Sequence, residues 1–218
     1  MRDLFTAIAP RYDFITRAFS FGMDRGWKRI AVTGARLPTC ATVLDLACGT
    51  GDFGKLARAQ CAGARIVAAD LTEPMLRLAN VRDSTCADAA SLPFRSACFD
   101  AVFIGYGLRN FPRLGTALHE VHRVLKPGGL LVSLDFFLPQ NPWLRRIYLG
   151  YLYAQGAVWG IMLHRRARVY TYIPDSLRNF LSVEAFSALL GDADFAKVNA
   201  RRFLLGGIAV HWATKREP

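Results

Sequence analysis

Residues 43–52 read Val43-Leu44-Asp45-Leu46-Ala47-Cys48-Gly49-Thr50-Gly51-Asp52, an apolar run that closes on a carboxylate and then breaks into a glycine turn. The leucines and β-branched residues from Thr42 to Ala47 suit a strand buried on both faces of a parallel sheet. Gly49 and Gly51 free the backbone to turn tightly and to approach a ligand closely, and Asp52 to Cys61 reads as the helix that follows. A helix amino end is thereby set at a strand's carboxyl end, where a small polar ligand is expected.

The next apolar run, Ala64 to Ala69, closes on Asp70, 25 residues after Asp45. That interval is close to the one separating a glycine-loop strand from the acid that binds ribose in a nucleotide-binding βαβ unit. Asp70, followed by Leu71, is thus a candidate to take both ribose hydroxyls. Two ligands compete for such a unit. Glycines at 49, 51 and 54 satisfy the dinucleotide pattern, but Asp45 and Asp52 flank the turn and would repel a pyrophosphate. Two acids suit a ligand carrying an ammonium and a sulfonium, which favours S-adenosyl-L-methionine, with Asp45, Gly49, Gly51 and Asp70 among its contacts.

The remaining pattern is α/β. A helix from Glu73 to Val81, with Thr72 as its N-cap, leads to a short strand at Thr85 to Ala87. That strand ends at Asp88-Ala89, where a polar side chain can accept from an adenine amino group. Phe99 to Gly105 is a fourth buried strand, and in a doubly wound sheet its end puts Gly105, Tyr106 and Arg109 beside the cofactor. A helix from Leu114 to Leu125 is stopped by Lys126-Pro127-Gly128-Gly129 before a strand at Leu130 to Phe136. Ser182 caps the last helix, and Phe195 to Arg201 and Ile208 to Thr214 form a closing hairpin.

Ahead of the first strand, residues 2–36 read as helical, with Leu4, Phe5, Ile8, Tyr12, Ile15 and Phe19 at three- and four-residue steps and a break at Ser20-Phe21-Gly22. This aromatic-rich prelude suits either a packing helix or a lid over the ligand. Ile147 to Leu163 holds no charged residue over 17 positions and is bracketed by Arg145-Arg146 and His164-Arg165-Arg166. It is shorter than the roughly 20 apolar residues a bilayer span needs. It reads as a helical insertion that covers the site and touches a bilayer.

At 218 residues the chain suits one domain, residues 1–218, with a helical lid at 1–36 and a substrate-side insertion at 137–180. Hydrophobic content of 52% and charged content of 21% exclude a disordered chain. The opening residues lack an apolar secretory segment. The five cysteines are scattered without a CxxC, so neither a disulfide framework nor a metal cluster is expected, and a cytoplasmic setting fits. A net charge of +11 favours an anionic lipid surface, acidic substrate or nucleic acid. The basic pairs are dispersed and no RNA-binding module or base-methylating Asn-Pro-Pro-Tyr motif appears, so peripheral contact with an anionic membrane is expected and a nucleic-acid partner is not. The oligomeric state is left open between monomer and homodimer.

Several segments together resemble the S-adenosylmethionine-dependent C-methyltransferases of menaquinone and ubiquinone biosynthesis: Ile8 to Asp13, Ser20-Phe21-Gly22 with Trp27-Lys28, Val43 to Asp52, Leu92-Pro93-Phe94, Gly107-Leu108-Arg109-Asn110, Val124 to Gly129, and Tyr170 to Ser176. The glycine loop and Lys-Pro-Gly-Gly are common to many methyltransferases, whereas the Arg-Tyr-Asp, Ser-Phe-Gly and Gly-Leu-Arg-Asn segments are more specific. The resemblance implies a seven-stranded, Rossmann-like sheet with its last strand antiparallel, and cofactor contacts at Thr50, Asp70, Asp88 and Ala89. It also implies a lipophilic quinol as acceptor, from either pathway. Thr16 and Asp24 depart from the family's usual Asn and frequent His.

The implied chemistry is methylation of a ring carbon made nucleophilic by ionising a ring hydroxyl. Arg109 is the leading candidate to stabilise that phenolate, because a guanidinium keeps its charge. Tyr12, Asp13, Tyr106 and Tyr172 are candidates for the pocket wall and its hydrogen bonds. His122 reads as surface, His164 and His211 are unsupported as bases, and the general base stays unassigned. A lipid or small-molecule N- or O-methyltransferase would share the cofactor half.

Overall fold

The most apolar strand sequences lie at the centre of the sheet, where helices cover both faces. The computed structural model describes residues 12–165 and 170–217, without the side chains of Tyr12, Asp13 and His164. Seven strands run in the order β3-β2-β1-β4-β5-β7-β6: β1 (Thr42–Leu46), β2 (Arg65–Asp70), β3 (Asp83–Cys86), β4 (Phe99–Gly105), β5 (Leu125–Phe136), β6 (Phe195–Phe203) and β7 (Ile208–Lys215). The first five pair in parallel, and β7 inserts between β5 and β6, antiparallel to both.

Alternation along the strands divides the core into two layers. Val43, Phe103 and Val132 face Ile15 and Phe19 of α1 (Tyr12–Phe19) and Trp27 and Ala31 of α2 (Asp24–Ala35). Leu44, Leu46 and Ile104 face Leu118 and Val121 of α5 (Leu114–Val124) and Phe186 of α8 (Val183–Asp192). Between them come α3 (Asp52–Gln60), α4 (Glu73–Ala79), α6 (Pro142–His164) and α7 (Tyr172–Arg178). The chain leaves β1 toward β2 and β4 toward β5, so the carboxyl ends of β1 and β4 diverge and leave a crevice between them.

Four local expectations are corrected. β3 covers Asp83–Cys86 rather than 85–87, because its register is set by pairing with Val67–Asp70. α4 ends at Ala79, where Asn80 takes the left-handed conformation at φ 52°. Thr72 occupies the N-cap position, but its hydroxyl donates to Asp70 instead of capping the helix. β5 begins at Leu125, because Lys126 Nζ reaches the Asp100 carboxylate at 2.8 and 2.9 Å and Gly128, at φ 71°, absorbs the irregularity. Lys-Pro-Gly-Gly therefore bends the strand rather than preceding it. Ser182 caps α8 as read from the sequence, its hydroxyl accepting from the Ala185 amide at 3.2 Å.

Behind β5, α6 packs on α7, and Gly156 lets the backbones meet: a Cβ there would stand 3.0 Å from the Tyr170 carbonyl. Among the described residues no helix is long and apolar enough to cross a membrane. Leu4, Phe5 and Ile8 of the prelude lie outside the described residues.

Candidate active site

The glycine loop is held from within the protein. Ala47, Gly49 and Gly51 all adopt positive φ, 53°, 53° and 79°, so the chain turns sharply out of β1 into α3. Gly51 is needed for packing as well as turning, since a Cβ would stand 3.1 Å from that of Ala79. Gly54 brings the helix onto the strands: its amide donates to Asp45 Oδ2 at 2.8 Å, and a Cβ would stand 2.8 Å from Ile66. Asp45 is 1% exposed, and burial drives its carboxyl up to about 7, with Asp52 and Asp70 adding to the shift and the Gly54 amide and Lys28 opposing it.

Asp52, read from the sequence as the second acid facing a cationic ligand, is already engaged. Lys28 Nζ lies 2.6 Å from its Oδ2 and 3.2 Å from the buried carboxylate of Asp24. Burial pushes the Asp52 carboxyl up, but the adjacent ammonium outweighs it and holds the group below its usual range. Lys28 was missed as a site residue. The available signal was Asp24-x-x-x-Lys28, one helical turn of charge beside the core residues Trp27 and Ala31.

Among the described residues, three clefts open at the carboxyl ends of the strands. The first is lined by Gly49, Asp70, Leu71, Met75, Gly105 and Phe111 among others. Asp70 anchors it: Oδ2 accepts from the Gly49 amide at 3.0 Å, and Oδ1 accepts from the Thr72 amide at 2.9 Å and hydroxyl at 3.0 Å. With Oδ1 engaged twice, Oδ2 keeps one acceptor position. The expectation of two ribose hydroxyls on Asp70 therefore requires the Thr72 hydroxyl to turn away. The second cleft is lined by Lys28, Asp45, Gly49, Thr50 and Asp52. The third, a narrow one, is lined by Ile15, Phe19, Arg109, Phe136 and Tyr172.

Tyr106 borders all three clefts. Its φ of 58° is a strained value for a bulky residue, held because its amide donates to Leu134 at 2.7 Å while its carbonyl accepts from Arg109 at 3.0 Å and Asn110 at 3.3 Å. Its ring packs against Phe136 at 5.4 Å, with the Lys28 ammonium 5.7 Å from the ring centre.

Arg109, read from the sequence as the partner of a phenolate with a structural ion pair as the alternative, is paired with Asp135 at 2.5 Å, the two side chains 3% and 0% exposed. Asp135 also accepts from the Leu108 and Phe136 amides, each at 2.8 Å. Burial raises the Asp135 carboxyl even though Arg109 opposes the shift. Arg109 in turn hydrogen-bonds the Tyr172 hydroxyl, whose pKa burial raises. Asp135 was also missed, although it stands next to last in β5, as Asp45 does in β1, and Asp70 ends β2.

Among the sequence candidates, Asp45, Gly49, Thr50, Asp70, Leu71 and Gly105 line the first two clefts, and Arg109 and Tyr172 share the third. Gly51 turns the loop from behind. Asp88 and Ala89 line none of these clefts; the exposed Asp88 carboxylate accepts from the Ala90 amide at 2.9 Å and lies 3.8 Å from Arg113. The side chains of Tyr12, Asp13 and His164 lie outside the described residues. His211 is buried between Phe137 and Phe186, where burial lowers its pKa to about 4, in the core layer opposite Tyr106. His122 packs edge-on against Phe195.

A family model described as the ubiE/COQ5 methyltransferase family matches residues 1–215. The chain belongs to that family. It is 35% identical to a demethylmenaquinone methyltransferase of Lactiplantibacillus plantarum, over 99% of this chain and 95% of the relative. It is 39% identical to a ubiquinone/menaquinone biosynthesis C-methyltransferase of Geobacter sulfurreducens, over 96% and 85%. The fold is shared with an S-adenosylmethionine-dependent methyltransferase of Thermotoga maritima, with a TM-score of 0.70 and 20% identity over 99% of this chain and 100% of that one. The three clefts differ in chemistry: the first holds the Asp70 carboxylate, the second is lined by Asp45 and Asp52, and the third is walled by aromatic and aliphatic side chains around Arg109.

Proposed function

We propose that this chain transfers the methyl group of S-adenosyl-L-methionine to a ring carbon of a polyprenylated benzo- or naphthoquinol. The observation that carries the reading is Tyr106, a single wall common to the clefts that hold Asp70 and Asp45 and to an apolar cleft containing a buried arginine. The cofactor supplies an electrophilic methyl on a sulfonium. Asp70 and the loop amides bind its ribose, and Asp45, when ionised, receives its ammonium.

In the third cleft Ile15, Phe19, Phe136 and Ile173 surround the quinol ring and exclude water, which strengthens every charge interaction there. Arg109, aimed by Asp135 and hydrogen-bonded to Tyr172, stabilises the ring oxygen as its hydroxyl proton leaves. The ortho carbon then forms the new carbon–carbon bond as the sulfur–carbon bond breaks and its electron pair stays on the sulfur of the departing thioether; loss of the ring proton restores aromaticity and the ring oxygen regains a proton, so one proton is released overall. The whole chain acts as one domain, with its N-terminal helices as the lid and residues 137–180 as the acceptor side. Its acceptor is carried in lipid, so the protein works in the cytoplasm at the inner face of the membrane.

The test is transfer of labelled methyl from S-adenosylmethionine to demethylmenaquinol and, in parallel, to the corresponding ubiquinone-pathway quinol. Turnover of either supports the reading and selects the pathway. Turnover of only a non-quinol lipid or amine would replace it with an N- or O-methyltransferase. A strain lacking the protein should accumulate a quinone lighter by one methyl group.

A further inference from the structure

α6 spans 23 residues, about 34 Å at the α-helical rise, and both of its sides are apolar. One side packs inward through Leu152, Gly156 and Trp159. The opposite side presents Trp143, Ile147, Ala154, Val158, Ile161 and Met162 to solvent, where a surface helix normally carries charge. The exposure is substantial: Trp143 is 75%, Ile147 68% and Met162 67% exposed. Phe21, 67% exposed and stacked on Tyr151, widens the stripe at its flank.

The charge around the stripe identifies what covers it. Between Asp135 and Asp175 the sequence contains no acidic residue and five arginines. Arg145 and Arg146 lie exposed at the amino end of α6, and Arg165 caps its carboxyl end. An apolar face with arginines at its ends and a tryptophan at one tip is the composition of a helix lying in a membrane interface. A second copy of this chain would set these arginines close to their own counterparts, whereas an anionic headgroup layer neutralises them.

We propose that the outer face of α6 lies flat on an anionic lipid bilayer and delivers the quinol directly into the third cleft. This rests on the reading that the acceptor is polyprenylated. The route is short: Phe14, on the outer side of α1, meets Trp159 of α6 at 5.2 Å, while Ile15 and Phe19 of the same helix line the third cleft. Among the described residues, α1 and α7, whose Tyr172 and Ile173 also line the third cleft, stand between the docked helix and the ring-binding space.

Co-sedimentation of the full chain with vesicles tests this. The chain is expected to pellet with mixed phosphatidylglycerol and phosphatidylcholine vesicles, to pellet less at high salt, and to stay in the supernatant with phosphatidylcholine alone. Ile147→Ser with Ile161→Ser and Met162→Ser should weaken binding by more than about tenfold. Arg146→Gln and Arg165→Gln should each weaken it roughly fivefold. All these positions are exposed, so circular dichroism and methylation of a quinol with a truncated prenyl tail should match wild type. Wild-type protein that ignores anionic vesicles, or a triple variant that still binds them, would overturn the proposal. So would a dimer that Ile147→Asp dissociates while vesicles recruit nothing. Vesicle binding without quinol turnover would leave the docking face standing and remove the quinol reading; turnover without binding would do the reverse.

Discussion

Asp45 joins stability to ligand affinity through one proton. Its folded pKa is raised to about 7 from the ordinary value of 3.8, so its favourable contribution to the free protein is fully present below 3.8 and is lost as pH rises from there through 7. A bound ammonium beside the second cleft favours the ionised form. Cofactor affinity should therefore rise as pH passes through 7, with proton release visible as a buffer-dependent calorimetric enthalpy. Asp45→Asn should raise the melting temperature of the free protein at pH 8, weaken cofactor binding, and abolish the proton release. Asp70→Ala removes charge-assisted hydrogen bonds of about 1.5–3 kcal/mol each, so calorimetry should show at least a tenfold loss of affinity. Breaking the buried Arg109–Asp135 pair from one side strands a charge at about 3–5 kcal/mol. Asp135→Asn and Arg109→Gln, made singly and together, should therefore show strong non-additivity in denaturant melts. If the two effects simply added, Asp135 would not be the group that holds Arg109.

Between elements, α2 connects the glycine loop to the sheet. Lys28 ties it to α3 through Asp52, and Trp212 of β7 donates to the Ala31 carbonyl at 3.0 Å. Gly34 makes the second contact possible, since a Cβ there would stand 2.7 Å from the Trp212 ring. Gly34→Ala improves helix propensity by about 1 kcal/mol, but overpacking costs about 1–3 kcal/mol and should displace the indole. The net effect expected is a lower melting temperature, by a few degrees, despite the better helix former. Lys28→Met leaves the buried Asp24 without its cation, and amide exchange should accelerate through α2 and the first turn of α3. Of these contacts, the sequence shows Asp24-x-x-x-Lys28 as a helical pair. It does not show that the same ammonium reaches Asp52, because the 23 residues between Lys28 and Asp52 must first fold around β1.

For the molecule as a whole, the clefts proposed to hold the cofactor sit where β1 and β4 part, so ligand binding there would couple to the entire sheet. Cofactor at about 100 times its dissociation constant adds about 2.7 kcal/mol of stability. Scanning fluorimetry should then show a rise of roughly 5–10 °C for a chain of this size, and Asp70→Ala should lose most of it. The strand run, the loop glycines, the acid after β2 and the doubly wound order were legible in the sequence, because burial on both faces and tight turns constrain residue type locally. So was the family, from the Arg-Tyr-Asp, Ser-Phe-Gly and Gly-Leu-Arg-Asn segments. Which charges are free was not legible. Asp52 looks like an open group in the chain and Arg109 reads as either open or ion-paired, and only the tertiary structure sets Lys28 on the first and Asp135 on the second, 24 and 26 residues away. Tyr106 likewise becomes the wall shared by three clefts only when Leu134, Arg109 and Asn110 hold its strained backbone. Residue type and spacing determined the fold and the ligand class. The distribution of charge within the site rests on pairings across the sheet, which have no local signature because they form only once its strands have paired.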